Sequence, residues 1–471
     1  MKRLNALKKL SFLFIVLMLI GSCSNDDDNN VPEFIPETIV ELAQATPSLN
    51  SLVAALQRAN LVNTLNGTQE YTVFAPTNNA FTAFLAANNF ASLEDVPVDV
   101  LTQVLLNHVI AGEFASTDLS TGYISTSATQ ADTNLNLSMF VDTSSGVILN
   151  GVSSVDTPNI DATNGIIHIV DAVIGLPTVV THASANSSFT SLVAALGAAD
   201  GGLVDVLNGT GPFTVLAPDN NAFTDFLDGT ALADVPTDTL ANILLNHVVS
   251  GVVTSTNLVD SGSGYTNTLA TGPGMNNLSL YFDASDGVKF NGISSVTTAD
   301  VVCSNGIIHA INEVIGIPTV VTFATADPLF STLVDALTTL TPATDFAGIL
   351  SRTADGNGDS IDPPFTVFAP TNDAFAAITV PEESVLTQVL LHHVIGGTNV
   401  TSGDLNNPGN TSAPSLEGDN LTITLPGTGS NIADLTDGSG ASDIGIIAVD
   451  VQAGNGVIHV INKVAIPDLT N

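Results

Sequence analysis

The stretch NGIIHIVDAVI begins at Asn164, NGIIHAINEVI at Asn305 and NGVIHVINKVA at Asn455. Each copy sets one histidine inside an apolar run: His168, His309 and His459. A second stretch keeps the same spacing, as YTVFAPTNNAF from Tyr71, FTVLAPDNNAF from Phe213 and FTVFAPTNDAF from Phe365. The histidines stand 141 and 150 residues apart. A period that long means tandem copies of a whole domain, since solenoid units repeat at roughly 20–50 residues and cannot fold alone. Each copy is long enough to bury its own core, and the 471-residue chain holds three.

One copy mixes helical and strand patterns. Leu49, Leu52, Val53 and Leu56 recur at the spacing of a helix face, as do Phe189, Leu192, Val193 and Leu196, and Phe330, Leu333, Val334 and Leu337. The apolar YTVFAP run predicts a short buried strand, and Thr77, Asp219 and Thr371 follow it as helix N-caps. A third helix predicted around Leu101, Val104 and Leu105 carries His108 on its apolar face, matched by His247 and His393. The residue before each histidine, Asn107, Asn246 or His392, is turned about 100° away, toward the rim. The next part of each copy is rich in Thr, Ser, Gly and alternating apolar residues, which predicts short strands. Asn-Gly then predicts a turn, because both residues tolerate positive φ. Beyond it Ile166, His168 and Val170 face one way, and Ile167 and Ile169 the other. Both faces are apolar, so this strand is central, and the domain is α+β.

The N-terminus reads as a targeting segment. Lys2, Arg3, Lys8 and Lys9 precede LSFLFIVLMLI from Leu10, which is too short to span a bilayer. IGSC, ending at Cys23, resembles the lipobox of bacterial lipoproteins and implies cleavage before an acylated Cys23. The acidic SNDDDNNVPEFIP that follows reads as a flexible tether. An acidic run just after a lipidated cysteine resembles a signal for display on the outer face of the outer membrane. Residues 1–22 are therefore assigned to a lipoprotein signal peptide and 23–35 to the tether. Without the first 22 residues, Arg58, Lys289, Arg352 and Lys463 stand against 46 acidic residues. That balance excludes a nucleic-acid-binding surface. Cys303 has no intrachain disulfide partner once Cys23 is lipidated.

The three motif sets, in this order in each copy, resemble the fasciclin-type (FAS1) domain. TVFAPTNNAF is similar to that family's first box, LLNHVI to its Tyr-His region and NGIIHIVDAVI to its second box. The resemblance places the domains at residues 36–177, 178–319 and 320–468. It implies a wedge-shaped β-sandwich decorated with α-helices, a role in cell adhesion and no catalysis. Where the family usually has Tyr before the middle-motif His, this chain has Asn107, Asn246 and His392, so integrin-type recognition does not carry over.

Other chemistry is weakly signalled. The sequence holds no GxSxG, P-loop, CxxC or HExxH motif. The two motif histidines of each of the first two domains are too few for zinc, and their apolar setting favours a core role for His108, His168, His247, His309, His393 and His459. In the third copy's insertion, from Ser351, Asp355, Asn357 and Asp359 alternate as the first oxygen ligands of a calcium loop do. Ser360 replaces the expected Gly, and no Glu sits at position 12, so a solvated loop is the stronger reading and calcium the weaker. No cofactor is otherwise expected.

The function expected is that of a lipid-anchored adhesion protein on the bacterial surface. It would bind a cell-surface or matrix protein, or a polysaccharide, by multivalent weak contacts. The alternative is a carbohydrate- or small-ligand-binding accessory lipoprotein of an uptake or degradation system. The absence of Trp, with only four Tyr, leans against sugar stacking.

Overall fold

The structure, a computed structural model, describes residues 37–470 apart from 356, 357, 359 and 360. Cys23, Asn357 and Asp359 therefore lie outside the described residues. Residues Thr38–Asn471 form one compact unit.

In the first copy seven strands follow one another: Tyr71–Pro76 (β1), Val109–Ala111 (β2), Gly122–Thr129 (β3), Asn136–Asp142 (β4), Ile148–Leu149 (β5), Ser153–Ala162 (β6) and Gly165–Val170 (β7). They hydrogen-bond in the order β2-β1-β7-β6-β5-β4-β3. The histidine-bearing β7 runs parallel to β1, with His168 opposite Phe74, and antiparallel to β6. A strand paired on both edges and covered on both faces has no reason to alternate, which is why its sequence is apolar throughout.

One face of this strand pair packs Val73, Ala75 and Ile167 against helices that contribute Ile39, Leu52, Leu56, Leu101 and Leu105. On the other face Phe74 and Val170 meet Met139, Val141 and Leu149 from β4 and β5. The sheet thus folds over on itself and encloses a second core, giving an α+β sandwich with a helical cover. The other two copies keep the strand order. In the second, pairing of Thr268 with Val249 closes the sheet into a barrel. Among the described residues no single helix is long and apolar enough to cross a membrane.

The local chemistry accounts for these elements. Thr77, Asp219 and Thr371 each accept a hydrogen bond from a backbone N–H three residues on, at Ala80, Ala222 and Ala374, and so cap the helices that follow. The expected turn is present, at Thr163 and Asn164 between the paired Ala162 and Gly165, and the asparagine does more than turn. Asn164 is a buried bracket: its Oδ1 accepts from Ile39 N at 2.9 Å, and its Nδ2 donates to Leu65 O and Gly67 O. Asn305 and Asn455 repeat the arrangement. The glycine is required by close approach. A Cβ on Gly165 would lie 1.9 Å from Tyr71 O, and one on Gly306 or Gly456 2.2 Å from the matching carbonyl.

Two further expectations need correction. Asn107, Asn246 and His392 are not at the rim but fully buried, because each is held by a backbone or loop partner described below. His108 lies just past the helix Val98–Leu106 rather than on it, and folds back onto the last turn.

Candidate functional site

Each domain places one histidine from the middle motif and one from the second box, and the two look in different directions. In the middle motif His108 Nδ1 donates to Val104 O at 2.7 Å, while its Nε2 accepts from Ile174 N at 2.8 Å. His247 does the same with Ile243 O and Ile315 N, and His393 with Val389 O and Ala465 N. A carbonyl only accepts and a backbone N–H only donates, so each ring is neutral with its proton on Nδ1. Burial pushes all three down to about 4.

The second-box histidines use the other tautomer. His168 Nε2 donates to Phe114 O at 2.9 Å and its Nδ1 accepts from Asn159 N at 3.2 Å. His309 bonds Val253 O and Asp300 N in the same way, and His459 donates to Val400 O. His168 and His459 stack on Phe74 and Phe368. These rings fix the loop that follows the short strand β2 and its counterparts; they do not converge with the middle-motif histidines. Among the described residues no group of three His, Cys, Asp or Glu could hold a metal ion.

Ser255, Asp300 and His309 come together in the second domain, and Ser402, Asp450 and His459 in the third. The order is wrong for nucleophile activation: the serine hydroxyl bonds the aspartate, and His309 Nδ1 accepts from the Asp300 backbone. In the first domain Asn159 replaces the aspartate and bonds Ser116. This trio therefore pins a loop to a strand. Cys303 is fully buried, and burial pushes its thiol well up, which keeps it protonated and poorly nucleophilic. Asp355 is exposed.

The middle-motif pair also reaches the tail of its own domain, the stretch that links it to the next. Beside His108, Asn107 Nδ2 donates to Gly175 O at 3.0 Å. Beside His247, Asn246 Nδ2 donates to Gly316 O at 2.9 Å, and its Oδ1 accepts from Thr268. Asn-His thus clamps two successive linker residues. The third copy lacks the linker glycine, with Ile466 directly after Ala465. There His392 turns instead to Ser415 at 3.1 Å and Glu417 at 3.4 Å, and accepts from Gly438 N.

Beyond each linker the next domain docks through a joint, and the joint is built twice from equivalent positions. At the first, Val302 N donates to Ser138 Oγ at 3.0 Å; at the second, Gln452 N donates to Ser279 Oγ at 3.0 Å. Tyr123 of the first domain packs edge-on to His182 of the second and meets Asn186 through its hydroxyl. Tyr265 of the second packs edge-on to Phe323 of the third and donates to Asp327. Gly151 approaches Ala185, and Gly292 approaches Ala326, closely enough that a Cβ would lie 3.3–3.4 Å away. Ala128 and Leu137 of the first domain form one buried cluster with Val302 and Ile307 of the second, and Leu176 of the linker packs against it.

A buried amide completes each joint. Gln130 Nε2, from the first domain, donates to Cys303 O at 2.7 Å and Gly306 O at 2.8 Å. At the second joint the equivalent carbonyls, Ala453 and Gly456, are met by Gln452 from their own domain at 2.8 and 2.9 Å. Gly272 stands where Gln130 stands in the first copy. A Cβ there would lie 2.8 Å from Ala453 O.

These joint residues carry no motif. One signal could have found them: two of the chain's four tyrosines, Tyr123 and Tyr265, occupy the same register in the variable region, opposite Phe140 and Tyr281. The third copy has Asn410 and Thr424 there.

Three tandem α+β sandwiches, each closed by a histidine-bearing central strand and docked through side-chain joints, define a repeated-domain protein. The chain belongs to the fasciclin domain family, whose model matches residues 47–177, 187–318 and 328–467. It is similar to human periostin, with 24% identity over an alignment of 457 residues that covers 92% of this chain and 48% of periostin. The chain thus spans about half of that relative's length. It is 40% identical over 84 residues to the cell surface glycolipoprotein MPB83 of Mycobacterium bovis, covering 16% of this chain and 36% of that protein. Among solved structures, a FAS1 domain pair from the insect cell adhesion molecule fasciclin I covers 57% of this chain and 96% of that one, at 22% identity and a TM-score of 0.37.

Proposed function

We propose that the chain is a lipid-anchored surface adhesion protein whose three FAS1 domains form one stiff array and bind by several weak contacts at once. The observation that carries this reading is the joint made twice from the same positions, Ser138 with Val302 and Ser279 with Gln452. A stiff array fixes the spacing of the variable loops. A second contact then forms at high effective concentration, and avidity exceeds single-site affinity by about 10²–10⁴-fold where the ligand repeats match.

The domains run over 36–177, 178–319 and 320–468, and the six motif histidines serve as brackets within them. Family membership supports the interaction class, and similarity to a protein named as a cell surface glycolipoprotein supports surface display. The basic start and IGSC support acylation of Cys23 and attachment to the outer membrane. The partners are matrix or surface proteins, or polysaccharides, that are not polyanions, since only four basic residues follow the leader. The chain acts by binding rather than catalysis.

The experiment is attachment under flow. Beads coated with the mature protein, with 23–319 or with 23–177 are passed over matrix proteins and neutral polysaccharides. Graded loss of retention as domains are removed is the expected result. Full retention by a single domain toward one soluble ligand would favour a small-ligand accessory protein instead.

A further inference from the structure

His182 is the one histidine outside the two motifs. It lies on the helix Val179–Ala185 of the second domain, fully buried, with the Tyr123 ring of the first domain 5.4 Å away. Neither ring nitrogen has a hydrogen-bond partner. The backbone of Ser138 and of Val302, the pair whose hydrogen bond spans the joint, lies near enough only to temper the effect of burial. At the second joint the same place is taken by Phe323, which packs edge-on to Tyr265 as His182 does to Tyr123. A phenyl ring meets every demand of that site. An imidazole there has no well-aligned hydrogen bond on either nitrogen and can take up a proton whose burial the nearby Ser138 and Val302 backbone only partly offsets.

We propose that the first joint is acid-releasable and the second is not, with His182 as the sensing group. Protonation places a cation in a water-excluded seam between two domains, and separating the domains rehydrates it. Beyond the Ser138 and Val302 backbone, the groups around His182 offer no compensating charge. The helix Thr190–Ala198 carries no ionisable side chain, and Leu203–Leu207 carries only Asp205, which is exposed. The strand Gly306–Ile311 carries His309, already committed to Val253 and Asp300. On the strand Ser294–Cys303, Asp300 holds Ser255 and Cys303 is kept neutral by burial. From the first domain, Tyr123 is pushed up to about 12 by its own burial and stays neutral.

The sign follows by linkage. Burial holds His182 down at about 4 in the closed joint, whereas a solvated imidazole titrates near about 6.5. Between those values the open joint binds the proton and the closed one does not, so acidification favours opening. From pH 7 to pH 5 one such site shifts the opening equilibrium by about 20-fold. The inference rests on the joint geometry and holds whatever the ligand is.

The test is amide hydrogen exchange on the full mature protein, with each amide corrected for its own intrinsic rate. Val302 N–H reports the first joint and Gln452 N–H the second. Protection of Val302 should fall about 20-fold relative to Gln452 between pH 7 and pH 5. His182→Phe, which copies the second joint, should abolish the difference. Parallel behaviour of the two amides in the wild type overturns the proposal, as does a difference that persists in His182→Phe. If that variant does not fold, His182→Gln, which cannot titrate, takes its place under the same criteria.

Discussion

Gln130 and Gln452 satisfy equivalent pairs of carbonyls at two successive joints, from opposite sides. The first reaches from the domain before, the second from the domain that owns the carbonyls. Where one amide is present the other side is small or apolar: Val302 faces Gln130, and Gly272 faces Gln452. Each carbonyl pair is met by one glutamine amide.

Gln130→Ala should therefore leave Cys303 O and Gly306 O buried without a donor, at about 1–3 kcal/mol in urea unfolding. Adding Val302→Gln to Gln130→Gly should recover at least half of that loss, by rebuilding the second joint's chemistry at the first. A double variant less stable than either single one would show that the two joints are not equivalent.

Gly165→Ala places a methyl 1.9 Å from Tyr71 O, between β1 and β7. The parallel pair at the centre of the sheet must then separate, and the expected cost exceeds about 4 kcal/mol, the range of severe core lesions. Gly175→Ala, with open space around it and an ordinary φ, should stay within about 1 kcal/mol of wild type. Thermal unfolding of the two variants makes the comparison, and similar melting temperatures would refute the close-approach argument.

The middle-motif histidines make each domain acid-sensitive in itself. His108, His247 and His393 are held at about 4 when folded, against about 6.5 unfolded. Their stabilisation is complete above the unfolded value and declines as pH falls toward the folded one. At pH 5 each domain should have lost about 2 kcal/mol relative to pH 7. Equal urea midpoints at the two pH values would mean that these rings are not buried neutral.

Much of this was legible in the sequence. The central strand, the capped helices and the threefold period follow from the apolar runs around His168 and from Thr77 and its counterparts. The role of Asn164 was not legible, because Asn-Gly signals a local turn and says nothing of contacts to Ile39 and Leu65, far away in the chain. The burial of Asn107 was missed for a related reason. Helical periodicity assigns a face, but the linker that covers Asn107 arrives from 68 residues downstream. The joints were least legible, since an interdomain hydrogen bond such as Ser138 to Val302 leaves no periodic trace. Only the matched register of Tyr123 and Tyr265 marks it.

Anchoring gives a separate prediction, motivated by the basic start and IGSC ending at Cys23. Cys23→Ala should move the protein from the membrane fraction to the soluble fraction of cells. A variant that stays with membranes through detergent-free washing would remove acylation from the account.

The stiffness of the array is the claim on which the rest depends. Ser145 and Ser430 are exposed positions in the first and third domains. The mature chain without Cys23, carrying spin labels at Ser145→Cys and Ser430→Cys, leaves Cys303 as the remaining thiol, buried and unreactive. Pulsed dipolar spectroscopy at pH 7 should return a single narrow distance distribution that sharpens no further when ligand is added. A broad or multimodal distribution would show domains moving independently and would contradict the array.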